Sequence, residues 1–306
     1  QTCALPILIA VAAGAVGSGG PERAGVEAPA QAPTSAATRV SAGTARTPRS
    51  GRPILRSTSR MRGSLARPSS APVTQEVRPA MPQKLILDVD TGTDDAVALM
   101  CAALHPELDL LAATTVNGNV PVETCTDNSL RVFDHIGVPV PVYQGMHRPM
   151  VRDDFPVPRG VGRSDVHGGA LDIPPARSRA ADGHAVDFLI ETFMASDGDI
   201  VLVPVGPLTN VAMALTREPR LRDAIAALVI MGGGHEVGNV TPSAEFNVWG
   251  DPEAARVVLG SGVRSITLVP LDATHRALVS LEDCVRLRSE EHTSELQSPY
   301  VISYAV

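Results

Sequence analysis

Two kinds of segment alternate along residues 83–287. Short runs dense in Val, Ile, Leu and Ala, at 84–88, 110–116, 138–143, 200–205, 227–231 and 265–271, are apolar at consecutive rather than alternate positions. Runs of that kind predict strands buried on both faces, as in a parallel sheet. Between them, apolar residues recur at helical spacing over 94–105, 121–136, 184–195, 208–217, 251–260 and 280–287. Strands that alternate with helices are joined by right-handed crossovers, so the expected class is α/β, a mostly parallel sheet flanked by helices. No internal repeat is visible.

The pattern stops outside this region. Residues 8–80 are rich in Ala, Pro, Ser, Thr, Gly and Arg, lack Phe, Tyr and Trp, and keep no period of 2 or 3.6. Such a stretch buries too little apolar surface to offset chain entropy, and disorder is expected for 1–80. A secretory signal is the competing idea, but no basic residue precedes the apolar run at 5–16. Met81 directly precedes the first strand and is the expected start of the natural protein. RSEEHTSELQS at 288–298 reads as a translated sequencing adapter, and QTCALPI at 1–7 as its reverse complement. The expected division is therefore 1–80 as a low-complexity segment, 81–287 as a partial catalytic domain and 288–306 as an artefact tail. The natural protein would then continue past Leu287, which resequencing of the genomic locus checks.

Composition narrows the function classes. Of 306 residues, 44% are hydrophobic and 19% charged, enough for one domain with a buried core and a tail. The formal net charge is −7, yet residues 8–80 hold ten Arg against three Glu, so the acidity lies in the folded part. That balance argues against general nucleic-acid binding and suits a cation site. No apolar run reaches the roughly 18 residues of a membrane span. Cys3, Cys101, Cys125 and Cys284 form neither a CxxC nor a zinc spacing, which reads as a reducing compartment and, with Met81 as start, a cytoplasmic location.

Ligands of open parallel sheets bind beyond the carboxyl ends of the strands, and the unusual polar clusters fall there. After the first strand, DVDTGTDDA (88–96) brings Asp88, Asp90, Asp94 and Asp95 within eight residues. Clustered carboxylates repel unless a cation or strong donors compensate, and hard oxygens without His or Cys favour Ca²⁺ or Mg²⁺ over zinc. The bland alternative has Asp94 capping the next helix, Asp95 in its first turn and Asp88 accepting backbone N–H groups. Asn117 and Asn119 flank Gly118 in a segment that is either a turn or, for Asn119, a contact to a sugar hydroxyl. Glu245 and Asn247, with Asn239 six residues earlier, would share one face of an extended segment. That Gly-rich stretch has neither GxxxxGK[ST] nor a GxGxxG after a strand, so phosphate cradling is not supported. His167 lies in a polar loop after the Pro-rich stretch 157–160 and is a candidate ligand contact, its alternative being a solvated loop residue. His275 is expected at a helix start, and His105, His135 and His184 at helix ends or on the surface.

Six motifs in order, DVDTGTDDA, TTVNGN, HGGALD, PVGPLTN, MGGGHEVGNVTPSAEFN and DPEAA, resemble the nucleoside hydrolases of the inosine-uridine-preferring type. The resemblance runs from about residue 84 to 287. It implies an α/β enzyme with a Rossmann-like core, incomplete here at the C-terminus, that holds Ca²⁺ and hydrolyses the N-glycosidic bond of ribonucleosides as a homodimer or homotetramer. Carried over by residue, it makes Asp90 and Asp95 metal ligands together with the Val205 carbonyl, and Asp90 also the general base. Asp94 and Asn119 would hold the ribose 2′ side, Asn239, Glu245 and Asn247 the other hydroxyls, and Asp88 would support the acidic loop. The family commonly has Thr where Val205 stands, a change that spares a backbone oxygen. Its last metal-binding Asp, often with a neighbouring His acid, belongs to a motif that this sequence lacks, so weak or no turnover is expected of the chain as it stands. Two alternatives remain: a non-catalytic ribose- or Ca²⁺-binding remnant, and a haloacid-dehalogenase-type phosphatase. The latter wants DxDx[TV], whose last place is Gly92 here. Base preference is not legible.

Overall fold

The computed structural model describes residues 81–154 and 169–277. The N-terminal segment 1–80, the stretch 157–160, His167, the helix expected at 280–287 and the tail 288–306 lie outside the described residues. Strands β1 (Gln83–Val89), β2 (Leu108–Thr115), β3 (Val142–Gln144), β4 (Val201–Pro204), β5 (Ala227–Met231) and β6 (Ile266–Val269) pair in parallel in the order β3-β2-β1-β4-β5-β6. The helices are α1 (Thr93–Leu104), α2 (Val122–Ile136), α3 (Ala185–Ala195), α4 (Thr209–Arg217), α5 (Leu221–Ala224), α6 (Phe246–Gly250), α7 (Pro252–Leu259) and α8 (Leu271–Thr274). None of the described helices is long and apolar enough to cross a membrane.

The two-sided burial inferred from the consecutive apolar runs has a direct structural counterpart. Leu85, Leu87 and Val89 of β1 join Leu99 and Ala102 of α1 and Phe133 of α2 in one apolar layer. Ile86, of opposite parity, joins Leu189 and Phe193 of α3, Val211 of α4 and Val258 of α7 in the other. In β4 the same alternation sends Val201 and Val203 to the first layer and Leu202 to the second. Leu202 is fully buried. Leu202→Ala is expected to cost about 2–5 kcal/mol of unfolding free energy, read from denaturant melts, because the rigid sheet cannot collapse onto the void.

Topology fixes where a ligand can bind. The chain steps outward from β1 to β2 to β3, then returns to β4 on the other side of β1. The strand order therefore reverses between β1 and β4, and the loops leaving those strands diverge to open a crevice at the carboxyl edge.

Four expectations are corrected. The strand expected at 138–143 begins only at Val142, because Pro139 and Pro141 cannot donate to the ladder. The last strand ends at Val269, before Pro270, and Leu271 opens α8. His275 stands at the end of that helix rather than at its start. The segment with Glu245 and Asn247 turns into α6 instead of running extended.

Candidate active site

Asp88 pairs in register with Thr114 of β2 and Pro204 of β4, at the centre of the sheet edge. Its Oδ1 accepts from Thr114 Oγ1 at 2.6 Å and from Asn210 Nδ2 at 2.7 Å. These partners are side chains, not the backbone N–H groups of the capping alternative. Asn210, in the first turn of α4, also donates to the Thr115 carbonyl at 2.9 Å and accepts from the Met146 N–H at 2.8 Å. One buried amide thus ties the exits of β1, β2 and β3 to the helix that follows β4.

Two residues on, Asp90 is buried between neighbouring loops. Its Oδ2 accepts from the Asn119 N–H at 2.7 Å. A Cβ on Gly118 would lie 2.1 Å from that oxygen, and one on Gly206 would lie 2.8 Å from Oδ1. Only glycine lets the two backbones approach the carboxylate so closely. Asp95 Oδ2 accepts from the Gly92 N–H at 3.2 Å, which fixes the start of α1. The residue at the N-cap is Gly92, so Asp94 does not cap the helix; it lies half-buried in the first turn beside Asp95.

The electrostatics of this loop are unusual. Burial, opposed by the Asn119 N–H and reinforced by the charges of Asp94 and Glu245, pushes the Asp90 carboxyl up to about 8. Burial together with Asp94 and Asp90 holds Asp95 well above the usual carboxylate range. Asp88 is pushed up to about 7 by burial, against the hydrogen bonds from Asn210 and Thr114. Its Oδ2 is buried with no hydrogen-bond partner among the described residues. Among the described residues, the charges that raise Asp90 are those of Asp94 and Glu245, and those that raise Asp95 are Asp94 and Asp90.

The wall opposite comes from β4, β5 and α6. Val205 donates its N–H to the Asp88 carbonyl at 2.8 Å, and its own carbonyl accepts from Asn247 Nδ2 at 2.8 Å. Glu245 precedes α6 as its cap: Oε1 accepts from the Asn247 N–H at 3.0 Å, and Oε2 from Gly233 and Val248 N–H at 2.8 and 3.2 Å. The Asn247 and Val248 N–H groups at the helix start need acceptors, and that need turns the chain at Glu245. Burial raises the Glu245 carboxyl above its ordinary value. Asn239 is exposed and accepts from the Phe246 N–H at 2.9 Å through Oδ1. Asn119 is half-buried beside Asp90, whereas Asn117 donates to the His147 carbonyl at 2.7 Å and so serves the loop after β3. The structure thus brings Asp88, Asp90, Asp95, Asn119 and Val205 to one edge, where Glu245 and Asn247 are oriented by backbone partners.

The donors present fit a hard cation. Among the described residues no three His, Cys, Asp or Glu side chains gather around a metal position. What gathers among the described residues is two buried carboxylates raised by acidic neighbours, and a carbonyl that accepts one hydrogen bond from Asn247 and has a second lone pair.

The family model of inosine-uridine preferring nucleoside hydrolases matches residues 85–304. The chain belongs to this family. The pyrimidine-specific ribonucleoside hydrolase RihB of Escherichia coli (strain SE11) is 43% identical over 205 residues, covering 67% of this chain and 64% of the relative. The chain thus spans a little under two thirds of that relative's length. Among solved structures, a plant nucleoside hydrolase, PpNRh1, is 31% identical with a TM-score of 0.66, covering 73% of this chain and 72% of its own. A purine-preferring ribonucleoside hydrolase from Gardnerella vaginalis is 37% identical with a TM-score of 0.63, covering 67% and 66%. Membership in the nucleoside hydrolase family sets aside the phosphatase alternative.

Three buried polar residues that position the hydrolase motifs escaped the sequence reading. Besides Asn210, Asp251 accepts from the Met150 N–H at 2.9 Å and from Thr209 Oγ1 at 2.7 Å through Oδ2, and from the Ala254 N–H at 3.0 Å through Oδ1. Asn128 of α2 donates to the Thr91 carbonyl at 3.0 Å. Its signal was available: Asn128 follows Cys125 by three residues and precedes Val132 by four, so it occupies an apolar helix face where a solvated residue has no place.

Proposed function

We propose that this chain hydrolyses the N-glycosidic bond of ribonucleosides to free base and ribose, using Ca²⁺ held by Asp90, Asp95 and the Val205 carbonyl. The observation that carries the reading is the pair of buried carboxylates, Asp90 and Asp95, set among like charges at the point where the strand order reverses. When bound, calcium supplies a centre that orients a water and lowers its pKa. Asp90, kept ionised by the bound cation, would take the proton as the water attacks the anomeric carbon, and the departing base would draw its proton from solvent. Asp94 and Asn119 hold the ribose 2′ side, and Asn239, Glu245 and Asn247 the other hydroxyls, so that the sugar is presented in a geometry near that of an oxocarbenium ion. Asp88 supports the acidic loop through Asn210 and Thr114. Calcium takes about six to eight oxygens, more than the three donors named here. Water and substrate hydroxyls would fill the remaining places, and turnover is correspondingly slow. The same reading carries a cytoplasmic location and a homodimer or homotetramer.

Inosine and uridine span the two base classes and form the test. Base release is expected from at least one of them, lost in chelator and restored by added Ca²⁺. Calorimetric binding of both Ca²⁺ and nucleoside without any base release would instead establish the non-catalytic remnant.

A further inference from the structure

Asn128 is wholly buried and has no part in the chemistry proposed above. All of its amide is engaged. Nδ2 donates to the Thr91 carbonyl at 3.0 Å and to the Gly169 carbonyl at 3.1 Å, while Oδ1 accepts from the Leu171 N–H at 2.9 Å. Two segments far apart in sequence therefore share one planar group. Thr91 directly follows Asp90, and its hydroxyl is hydrogen-bonded to Ser129 Oγ at 2.7 Å. Consecutive residues of α2 thus grip the acidic loop between its two candidate calcium ligands.

The other side of the contact is a strap lying along the same helix. Arg131 Nη1 reaches the Leu171 and Ile173 carbonyls at 3.4 and 3.3 Å. Asp134 Oδ2 accepts from the Ser178 N–H at 2.9 Å. Positions 128, 131 and 134 lie one helical turn apart and make a polar seam for the strap backbone, whereas Leu171 and Ile173 join the apolar layer beneath. Arg131 touches the strap and Asp127. Among the described residues it makes no hydrogen bond to the acidic loop.

We infer that Asn128 is a positioning residue that couples cation binding at Asp90 and Asp95 to the docking of residues 169–171 on α2. The inference rests on the calcium reading given above. With both amide hydrogens and the oxygen in use, a shift of the Thr91 carbonyl is followed by the amide, and the amide cannot move without stretching its bonds to Gly169 and Leu171. Leaving any of these buried groups unpaired is costly, so the two segments hold position together. Linkage then works in both directions: calcium steadies the strap, and a loosened strap weakens calcium binding. A residue that only supported the fold would lower stability without transmitting either effect.

The test uses the whole chain, with calcium titrated by calorimetry and amide exchange followed by NMR. Calcium is expected to slow exchange at the Leu171 amide more than at the Gly260 amide, whose bond to Arg256 lies on the other face of the sheet. Arg131→Met, which removes the strap contacts and the surface pair with Asp127 but leaves the acidic loop's own bonds in place, is expected to weaken calcium about fivefold or more, the lower end of ordinary coupling between sites. In an Asn128→Ser background the same change should shift affinity less than about twofold, as a broken coupling requires. Equal protection of the two amides, or an Arg131→Met effect that is absent or undiminished by Asn128→Ser, overturns the inference. Should Asn128→Ser fail to fold, the exchange comparison and Arg131→Met in the parent chain still decide it. A parent chain that binds no calcium overturns the calcium reading, and the coupling with it, before any variant is compared.

Discussion

Asp90→Asn is expected to abolish calcium-dependent base release, a fall of about 10²–10⁴-fold as for loss of a general base. It should also weaken calcium binding, since an amide oxygen replaces one of two carboxylates. The calcium-free protein, by contrast, should unfold no more easily than its parent. The Asp90 carboxyl is buried and surrounded by Asp94, Asp95 and Glu245, and burial raises its pKa to about 8. A neutral amide of the same shape escapes that penalty, and its oxygen can still accept the Asn119 N–H. The pairing of lost turnover with kept stability marks a group retained for chemistry rather than for the fold. Base release from inosine and uridine, set beside denaturant melts in chelator, checks both halves. Turnover within tenfold of the parent would remove Asp90 from the role of base.

The parts of this arrangement that could be read beforehand are those in which one residue type has one physical use. Consecutive apolar runs such as the one at 85–87 have no explanation except burial on both faces, and that fixes a parallel sheet and hence the edge at which ligands bind. Four acids within eight residues likewise have few uses. The misreadings came where a residue's partner was remote. Glu245 looked like half of an extended pair because nothing nearby announces that the Gly233 N–H, twelve residues earlier, closes on its carboxylate. Asn210 lay within the segment 208–217, read only as a helix, and within the motif PVGPLTN, with no role of its own. Its partners Asp88, Thr115 and Met146 lie 64 to 122 residues away and meet it only once the sheet has assembled. The strand at 138–143 was overdrawn for a local reason, since Pro139 and Pro141 within an apolar run already demote it to a short edge strand.

Gly118→Ala is expected to disable the site almost as thoroughly without touching a reacting group. The added methyl carbon would stand 2.1 Å from Asp90 Oδ2, 2.7 Å from its Cγ and 2.8 Å from its Cβ, all far inside contact distance. The carboxylate has nowhere to retreat. A Cβ on Gly206 would lie 2.8 Å from the other oxygen, which shows how closely the opposite loop already packs on it. Asp90 must therefore leave its rotamer, give up the Asn119 N–H, and move away from the position it shares with Asp95. A displacement of about 1 Å at a reacting group can cost about 10²-fold in rate, and calcium affinity should fall with it. Stability should drop by about 1–3 kcal/mol, as for other insertions into packed sites. Because a glycine substitution can act simply by unfolding the loop, the decisive measurement is a double-mutant cycle with Asp90→Ala. Truncating Asp90 removes the atoms that the new methyl strikes. If the clash is the cause, the stability lost on Gly118→Ala is largely absent in the Asp90→Ala background, a coupling that melts resolve when it exceeds about 0.5 kcal/mol. If the same stability is lost in both backgrounds, the methyl strains the loop itself, and the tight packing of Gly118 against Asp90 is not what holds the carboxylate in place.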